Sequence, residues 1–339
     1  MTVELLMVEQ RRGRAAGDSA PWIREGGERV EGQDSNRRLA ELRSGLLCHG
    51  GVRAVVADAA DEEVERALDD LHDPAYLEAL RSVGPERPVV LEEMTAPGLE
   101  PDIPVSAGLV AAAHEAVRTA ITAAERVAGG ARFSYAVCRP PGHHAGPDFC
   151  GGYCYFNNAA AAVRTLRANG LRPVGILDLD LHYPNGTSVL VEEMDDATLH
   201  SLHASPVTNV APRTLLPRAA GERAVAFHAA PDPDVYLEEV AASVEALAAD
   251  AAALVVSLGY DTVAGDPHGS WEFSPEIFAE VGRLLSAANL PVCVVQEGGY
   301  SLPVLAACSY AFAAGLLERG RGFRRYPAES SAAPLGGTR

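Results

Sequence analysis

Short apolar runs alternate with amphipathic segments along most of the chain. The apolar runs are brief, rich in β-branched residues and bounded by turn residues, so they are predicted strands: 52–57, 133–138, 174–182, 198–203, 253–258 and 292–296. Apolar positions recur at helical spacing between them and predict helices over 35–47, 61–71, 106–128, 156–168, 187–194, 235–252, 274–287 and 302–317. Pro74 can begin a further helix. The first 37 residues show little periodicity and are predicted to be irregular.

Strands that alternate with helices predict parallel βαβ units in one open sheet. The predicted fold class is α/β, with a central, mostly parallel β-sheet and helices on both faces. In such sheets ligands bind beyond the carboxyl ends of the strands. No repeat or composition break divides the 339 residues, so a single domain is predicted over 1–325, with a flexible tail over 326–339.

Composition excludes several classes of protein. The net charge of −18 argues against direct nucleic-acid binding, which requires a basic patch. No run of about 18 apolar residues exists, so no membrane span is expected. The N-terminus lacks a basic flank followed by an apolar core, and the six cysteines are scattered, so we expect reduced thiols and a cytoplasmic location.

The strand 174–182 ends in Asp178-Leu-Asp-Leu-His182. Side chains on a strand alternate between its faces, so Asp178, Asp180 and His182 are predicted to share one face. Clustered carboxylates and an imidazole are costly unless a cation neutralises them, and both ligand types suit zinc. A solvated strand end with acids placed there by chance remains the alternative at this point.

Polar clusters follow three other predicted strands. Arg139-Pro-Pro-Gly-His-His-Ala145 places adjacent histidines after a rigid turn, so the loop rather than helix packing orients them. Tyr260 and Asp261 follow a second strand, and Glu297-Gly-Gly-Tyr300 follows a third. Because the carboxyl ends of parallel strands lie at one edge of the sheet, these clusters are expected to meet there.

Several motifs follow one another along most of the chain. They are HDPAYL (72–77), RPPGHHA (139–145), GGYCYFNNAA (151–160), DLDLHYPNGT (178–187), SLH (201–203), GYDTVAGDP (259–267) and QEGGY (296–300). Together they resemble the arginase–deacetylase superfamily, and within it the histone deacetylase and acetylpolyamine amidohydrolase family. The details RPPGHHA, Asn185 and EGGY are similar to its class II and bacterial branch. The resemblance implies a single-domain arginase–deacetylase fold.

The resemblance also implies a catalytic metal. Asp180, His182 and Asp261 match the family's Zn²⁺ ligands, and Fe²⁺ is the alternative ion. Three protein ligands leave a coordination position for water and the substrate carbonyl. Arginase-like dinuclear manganese chemistry is not expected, because the aspartate-rich ligand set for a second metal is missing.

The same resemblance assigns roles around the metal. His144 would be the general base and then the general acid, His143 would give electrostatic support, and Tyr300 would donate to the oxyanion. Asp178 behind His143 and Asn185 behind His144 would fix the orientation of the two imidazoles.

Family members also bind K⁺ or Na⁺ near the metal strand. The matching groups here are the side chain of Asp178, the hydroxyl of Ser201, and the backbone carbonyls of Asp180, His182 and Leu202. Ordinary polarity at a strand end is the alternative for Ser201.

Gly152 and Tyr153 match the wall of the family's acyl-lysine channel, where a flat ring contacts a methylene chain. A core tyrosine is the alternative for Tyr153. His268 stands where polyamine-selective class IIb enzymes carry a glutamate, so polyamine selectivity is not supported at that residue. A polar rim residue, a pH-sensitive gate and a plain surface histidine all remain open for His268.

Two departures from the family pattern stand out. The family usually continues His-His-Gly after the metal strand, whereas this chain has His182-Tyr183-Pro184, so the turn near the cation site is expected to be reshaped. The segment 204–235 also differs from the family's glycine-rich run, which forms part of the pocket rim.

The leading hypothesis is a zinc-dependent amidohydrolase that releases acetate or a longer acyl group from an amine. Acetyl-lysine, an acetylpolyamine and a small acylated amine are the candidate substrates. A specialised amide hydrolase acting on a secondary metabolite is the first alternative. A catalytically silent acyl-amine binding protein is the second, and a homo-oligomer is left open.

Overall fold

The structure, a computed structural model, describes residues 3–11, 22–25, 28–84, 88–95, 102–205 and 221–318. Its strands in chain order are β1 (Leu5–Glu9), β2 (Trp22–Glu25), β3 (Glu28–Glu31), β4 (Val52–Val56), β5 (Phe133–Val137), β6 (Val174–Asp178), β7 (Ala197–Ala204), β8 (Arg223–Phe227), β9 (Ala253–Leu258) and β10 (Val292–Gln296). Its α-helices are α1 (Asn36–Leu47), α2 (Asp61–Leu71), α3 (Pro74–Ser82), α4 (Ala107–Ala128), α5 (Asn158–Ala168), α6 (Asn185–Glu192), α7 (Pro233–Ala248), α8 (Ile277–Ala287) and α9 (Leu302–Leu317).

Eight of these strands form one sheet in the order β4–β1–β5–β10–β9–β6–β7–β8, and every pairing is parallel. The other two strands, β2 and β3, form an antiparallel hairpin. Helices α2 to α6 contribute to the core on one face, and α1, α7, α8 and α9 contribute to the core on the other. The predicted α/β class with helices on both faces is confirmed.

Local sequence explains where several elements begin. Pro74 opens α3 at a position where its missing N–H costs nothing. Ser106 caps α4, because its side chain accepts a hydrogen bond from the Leu109 N–H, and Asn157 caps α5 by accepting from the Ala160 N–H.

The prediction of irregular structure over 1–37 is wrong for 5–9. Leu5–Glu9 lies between β4 and β5, and its residues alternate between the two cores, with Val8 on one side and Leu5 and Met7 on the other. Strands buried on both faces are continuous apolar runs, and Leu5–Val8 is such a run. The hairpin and β8 were not predicted either.

The predicted strand 174–182 ends earlier, at Asp178. The alternation nevertheless continues past its end, since Leu177, Leu179 and Leu181 all belong to one core. The predicted tail 326–339 lies outside the described residues, as does 206–220 within the segment 204–235. Within the described part of the chain, no helix has both the length and the apolar character required to cross a membrane.

Candidate active site

The predicted site residues lie together at the carboxyl ends of the central strands. His143 and His144 follow β5, Asp180 and His182 follow β6, and Asp261 follows β9. Tyr300 follows β10. They all line one pocket of about 260 Å³.

The three predicted metal ligands converge at the floor of this pocket. His182 Nδ1 lies 3.1 Å from Asp180 Oδ1 and 3.0 Å from Asp261 Oδ2, and one ligand atom from each residue lies within 4.8 Å of the others. Asp180 and Asp261 are buried, whereas His182 is partly exposed. The donor set therefore fits one divalent cation, because carboxylate and imidazole ligands both suit Zn²⁺.

Charge at this floor is concentrated. Burial and the neighbouring Asp180 raise the pKa of Asp261 to about 7. Burial would also raise the pKa of Asp180, but His143 and His182 lower it well below its usual range. Two buried carboxylates that repel each other are expected where a cation is normally bound.

Backbone groups hold these carboxylates in place. Gly298 N–H donates to Asp180 Oδ2 at 2.8 Å, and Leu181 N–H donates to Asp261 Oδ1 at 3.0 Å. A side chain at position 298 could not fit, since its Cβ would lie 2.6 Å from Asp180 Oδ2. Gly298, the first glycine of the EGGY motif, is therefore required by the close approach of the backbone to the carboxylate.

The two histidines have different partners. The rings of His143 and His144 lie 4.1 Å apart. His143 Nδ1 lies 3.3 Å from Asp178 Oδ2, whereas His144 Nδ1 lies 2.6 Å from Asn185 Oδ1. The amide oxygen of Asn185 can only accept, so His144 carries its proton on Nδ1 and leaves Nε2 open as a base.

The pKa values of the two histidines are shifted in opposite directions. Burial lowers the pKa of His143, but Asp180 and Asp178 outweigh it and raise the pKa to about 10. Burial and the positive charges of His143 and His182 lower the pKa of His144 well below its usual value. Near neutral pH, His143 is a cation beside a neutral His144.

Tyr300 lies in an aromatic cluster at the pocket wall. Its ring is 5.4 Å from that of Tyr153 and 4.8 Å from that of His268, and the Arg38 guanidinium lies 4.4 Å from its centroid. Tyr153 has a positive φ of 67°, and Gly152, with φ 54°, leaves space for the His144 ring. All three predicted channel residues, Gly152, Tyr153 and His268, line the pocket.

A second set of potential ligands lies beside the first. His143, Cys154 and Glu297 also bring ligand atoms within 4.8 Å of one another. Burial raises the pKa of Glu297 to about 8 and that of Cys154 well above its usual value, so both groups are neutral near pH 7. Both would have to lose a proton to bind a cation, which makes this set the weaker metal candidate.

Of the groups predicted to bind K⁺ or Na⁺, two are side chains, those of Asp178 and Ser201. Asp178 and Ser201 are paired residues on β6 and β7, and the Ser201 hydroxyl lies 2.8 Å from His203 Nδ1. A K⁺ or Na⁺ ion held with the carbonyls of Asp180, His182 and Leu202 stays a prediction.

The side chain of Tyr183, where the chain departs from the family pattern, packs against residues outside the pocket. The Tyr183 hydroxyl donates to Glu222 at 2.7 Å, its ring lies 4.9 Å from His203, and only 4% of the residue is exposed. Tyr183 is not among the pocket-lining residues. This substitution therefore gives no reason to expect an unusual substrate.

Sequence reasoning gave no supporting role to two buried residues, Arg38 and Glu297. Arg38 donates to the carbonyls of Gly299 and Glu297, and Glu297 Oε2 accepts from the N–H groups of Gly142 and His143. A signal for Arg38 was present, since it falls on the same helical stripe as the buried Leu42. No sequence spacing indicates which distant loop a buried carboxylate such as Glu297 will contact.

Comparison with known proteins agrees with this geometry. The histone deacetylase domain family matches residues 33–316. The chain belongs to this family. Its predicted family membership is thereby confirmed, and family members are generally metal-dependent deacetylases.

Relatives within the histone deacetylase family include bacterial amidohydrolases. Acetylpolyamine amidohydrolase of Mycoplana ramosa is 37% identical over 207 residues, which cover 59% of this chain and 61% of that protein. The aligned part thus spans about three fifths of that relative's length. A histone deacetylase-like amidohydrolase of Pseudomonas aeruginosa is 30% identical over 300 residues, covering 83% of this chain and 75% of that protein.

Solved structures of the family share the fold. A crystal structure of acetylpolyamine aminohydrolase from Burkholderia pseudomallei superimposes with a TM-score of 0.77 and 25% identity, covering 92% of this chain and 98% of that one. The HDA15 HD domain superimposes with a TM-score of 0.74 at 22% identity, covering 93% and 90%. The second comparison supports the fold alone.

Proposed function

We propose that this protein is a metal-dependent amidohydrolase that hydrolyses the amide of an N-acetylated or N-acylated amine. The observation that carries the proposal is the juxtaposition of two features at one pocket floor. One is the convergence of Asp180, His182 and Asp261. The other is the adjacent pair of His143 and His144, whose rings lie 4.1 Å apart and whose Nδ1 atoms face Asp178 and Asn185 respectively. The names of the amidohydrolase relatives and the family match support it.

Asp180, His182 and Asp261 are the residues that would hold the metal ion, Zn²⁺ or Fe²⁺. When bound there, such an ion lowers the pKa of water and polarises a carbonyl oxygen.

His144 carries out the proton transfers. Its Nε2 is unprotonated because Nδ1 donates to Asn185, so it can take a proton from the attacking water. The water oxygen forms a bond to the carbonyl carbon, the carbon–nitrogen bond then breaks, and His144 returns its proton to the leaving amine. The products are a carboxylic acid and a free amine.

Tyr300 and His143 stabilise the negative charge that develops on the carbonyl oxygen. Burial raises the pKa of the Tyr300 phenol well above its usual value, so it remains a hydrogen-bond donor. A pre-positioned donor to a developing oxyanion contributes about 3 kcal/mol in comparable sites. The His143 cation, held by Asp178, adds a fixed positive charge within the same floor.

The amine part of the substrate would extend past Tyr153 toward the rim. Tyr153 and Pro141 line the pocket and offer flat apolar surfaces to a methylene chain. His268 stands at this rim, beside the hydroxyl of Tyr153 at 3.2 Å. An acylated amine with a flexible apolar linker fits this arrangement.

A substrate panel tests the proposal and its two alternatives. The purified protein is stripped with a chelator, reloaded with Zn²⁺, and assayed on an acetyl-lysine peptide, a mono-acetylated diamine, small acylated monoamines and a set of chemically unrelated amides. We expect carboxylate release that is lost on stripping and restored on reloading. Turnover confined to a chemically unrelated amide would favour the specialised hydrolase, and tight binding of acyl amines without any cleavage would favour the silent binding protein.

A further inference from the structure

The Asp266 carboxylate joins the loop after β9 to the loop after β10. Its Oδ2 accepts hydrogen bonds from the N–H groups of Tyr300 at 2.6 Å and Ser301 at 2.9 Å. Its Oδ1 accepts from the N–H of His268 at 3.0 Å. Only 7% of the residue is exposed, so water competes little for these bonds.

Each loop carries part of the candidate site. The loop after β9 contains Asp261 and His268, and the loop after β10 contains Tyr300. Asp266 does not line the pocket itself. It contacts the backbone of two residues that do line it, Tyr300 and His268, and that of Ser301 next to Tyr300, so any effect on chemistry must pass through those residues.

The far side of the Tyr300 loop is held by a second charge. Arg38 donates to the carbonyl of Gly299 at 2.6 Å and to that of Glu297 at 2.7 Å. The backbone of this loop is therefore fixed between a buried cation and a buried anion. With its backbone fixed, the Tyr300 ring keeps only its two side-chain torsions, and the rings of Tyr153 and His268 restrict those.

We propose that Asp266 is a positioning residue for the amide hydrolysis put forward above, on which this inference rests. It sets the location of the Tyr300 hydroxyl relative to the substrate carbonyl without touching the substrate. Misplacing a catalytic group by about 1 Å can cost about a hundredfold in rate. The carboxylate is needed because three N–H groups point at it, and a single amide oxygen cannot serve both sides.

A purely structural role predicts something different. A residue that only stabilises the loops would lower the rate by a similar factor whether or not Tyr300 has its hydroxyl. A residue that acts through Tyr300 loses its effect once that hydroxyl is gone. Coupling between two substitutions separates these cases, because groups that act as a unit are not additive.

The experiment is a double-mutant cycle on the Zn²⁺-loaded full chain, comparing wild type, Asp266→Ala, Tyr300→Phe and the double variant. We expect Asp266→Ala to lower kcat about 10- to 100-fold with KM within about twofold and metal content unchanged. In the Tyr300→Phe background the same substitution should change kcat by no more than about twofold. Asp266→Asn, which keeps one acceptor, should fall between wild type and Asp266→Ala, and it completes the cycle if the alanine variant does not fold.

Asp196→Ala is the matched control. Asp196 pairs with Arg167 and Arg172 at the amino end of β7, opposite the pocket, and its loss should leave kcat unchanged. Equal rate losses in both Tyr300 backgrounds, or a raised KM with unchanged kcat, would overturn the positioning role alone. A wild-type protein that cleaves no acylated amine would overturn the proposed function, and this inference with it.

Discussion

The floor and the rim of the pocket are built in different ways. At the floor, Asp180 and Asp261 are buried, and backbone N–H groups hold both carboxylates. At the rim, Tyr153 and His268 meet mainly through ring contacts and one side-chain hydrogen bond. The floor is a set of charged and polar groups held by the backbone, and the rim is an aromatic wall.

This difference separates two kinds of task. Fixed charges in a water-poor site stabilise charge that develops during a reaction, and they require no rearrangement at that moment. Aromatic side chains at a mouth contact whatever part of the ligand extends outward, and each contact contributes little. Substitutions at the floor should therefore change the rate strongly, whereas substitutions at the rim should change the choice among substrates modestly.

The largest effect is expected at the floor, from Asp261→Ala. Removing one of three converging ligands should release the metal and lower turnover by about a thousandfold or more, because metal-ion catalysis contributes several kcal/mol. Metal content by elemental analysis and kcat on the best substrate measure both effects. Asp196→Ala is again the control, and an Asp261→Ala protein that retains one equivalent of metal would show that the third ligand is misassigned.

The loop that carries His143 and His144 should be sensitive to acid through His72. This buried histidine donates from Nδ1 to the Gly146 carbonyl at 2.7 Å, and its Nε2 accepts from the Asn157 N–H. Burial lowers its pKa to about 4. Between pH 6.5 and 4 the unfolded chain binds the extra proton, so the stabilisation present above pH 6.5 is lost as pH falls, by about 3 kcal/mol at most.

His72→Gln keeps a donor and an acceptor but does not titrate. Its free energy of unfolding, from denaturant titrations at pH 7 and pH 4.5, should fall less with acid than that of wild type. The exposed His228, replaced by Gln, serves as control and should follow wild type. Identical pH slopes for wild type and His72→Gln would contradict a neutral buried His72.

A moderate effect is expected from Asn185→Asp. An anion beside Nδ1 favours the protonated form of His144, so a higher pH is needed to free the base. The acid limb of kcat/KM should move to higher pH, by about one pH unit or more, with little change on the alkaline side. A pH profile measured for both proteins decides this, and an unmoved acid limb would remove His144 from the role of base.

The smallest effect is expected at the rim, from His268→Glu. An added carboxylate at a partly exposed position should favour a substrate with a second ammonium group by about threefold. The ratio of kcat/KM for a mono-acetylated diamine over an acetylated monoamine measures this preference, and His228→Glu controls for the added charge. A change of a hundredfold or more would show that His268 controls catalysis as well as substrate choice.

Much of the fold could be predicted because buried strands and amphipathic helices leave clear patterns. The strands at 253–258 and 292–296 and the helix at 302–317 match the structure at both ends. The strand at 5–9 could not be predicted with the same ease, because its apolar run is short and charged and glycine-rich residues follow it. The early end of β6 at Asp178 could not be predicted, since alternation of side chains continues through Leu181.

The site was predictable to the extent that its residues lie in ordered motifs. Motif order located His143, His144, Asp180, Asp261 and Tyr300, and the structure brings them together. It gave no role to Asp266 or Glu297, although both lie within quoted motifs, because their contacts are to backbone groups of other loops. Such contacts depend on how the strand ends meet in three dimensions.

The most direct test of the account is a crystal structure of the Zn²⁺-loaded protein with anomalous data collected at the zinc absorption edge. We predict one strong peak at the pocket floor, about 2.0–2.2 Å from a carboxylate oxygen of Asp180, from His182 Nδ1 and from a carboxylate oxygen of Asp261. A peak that lacks any of these three ligands, or no peak there at all, would contradict it.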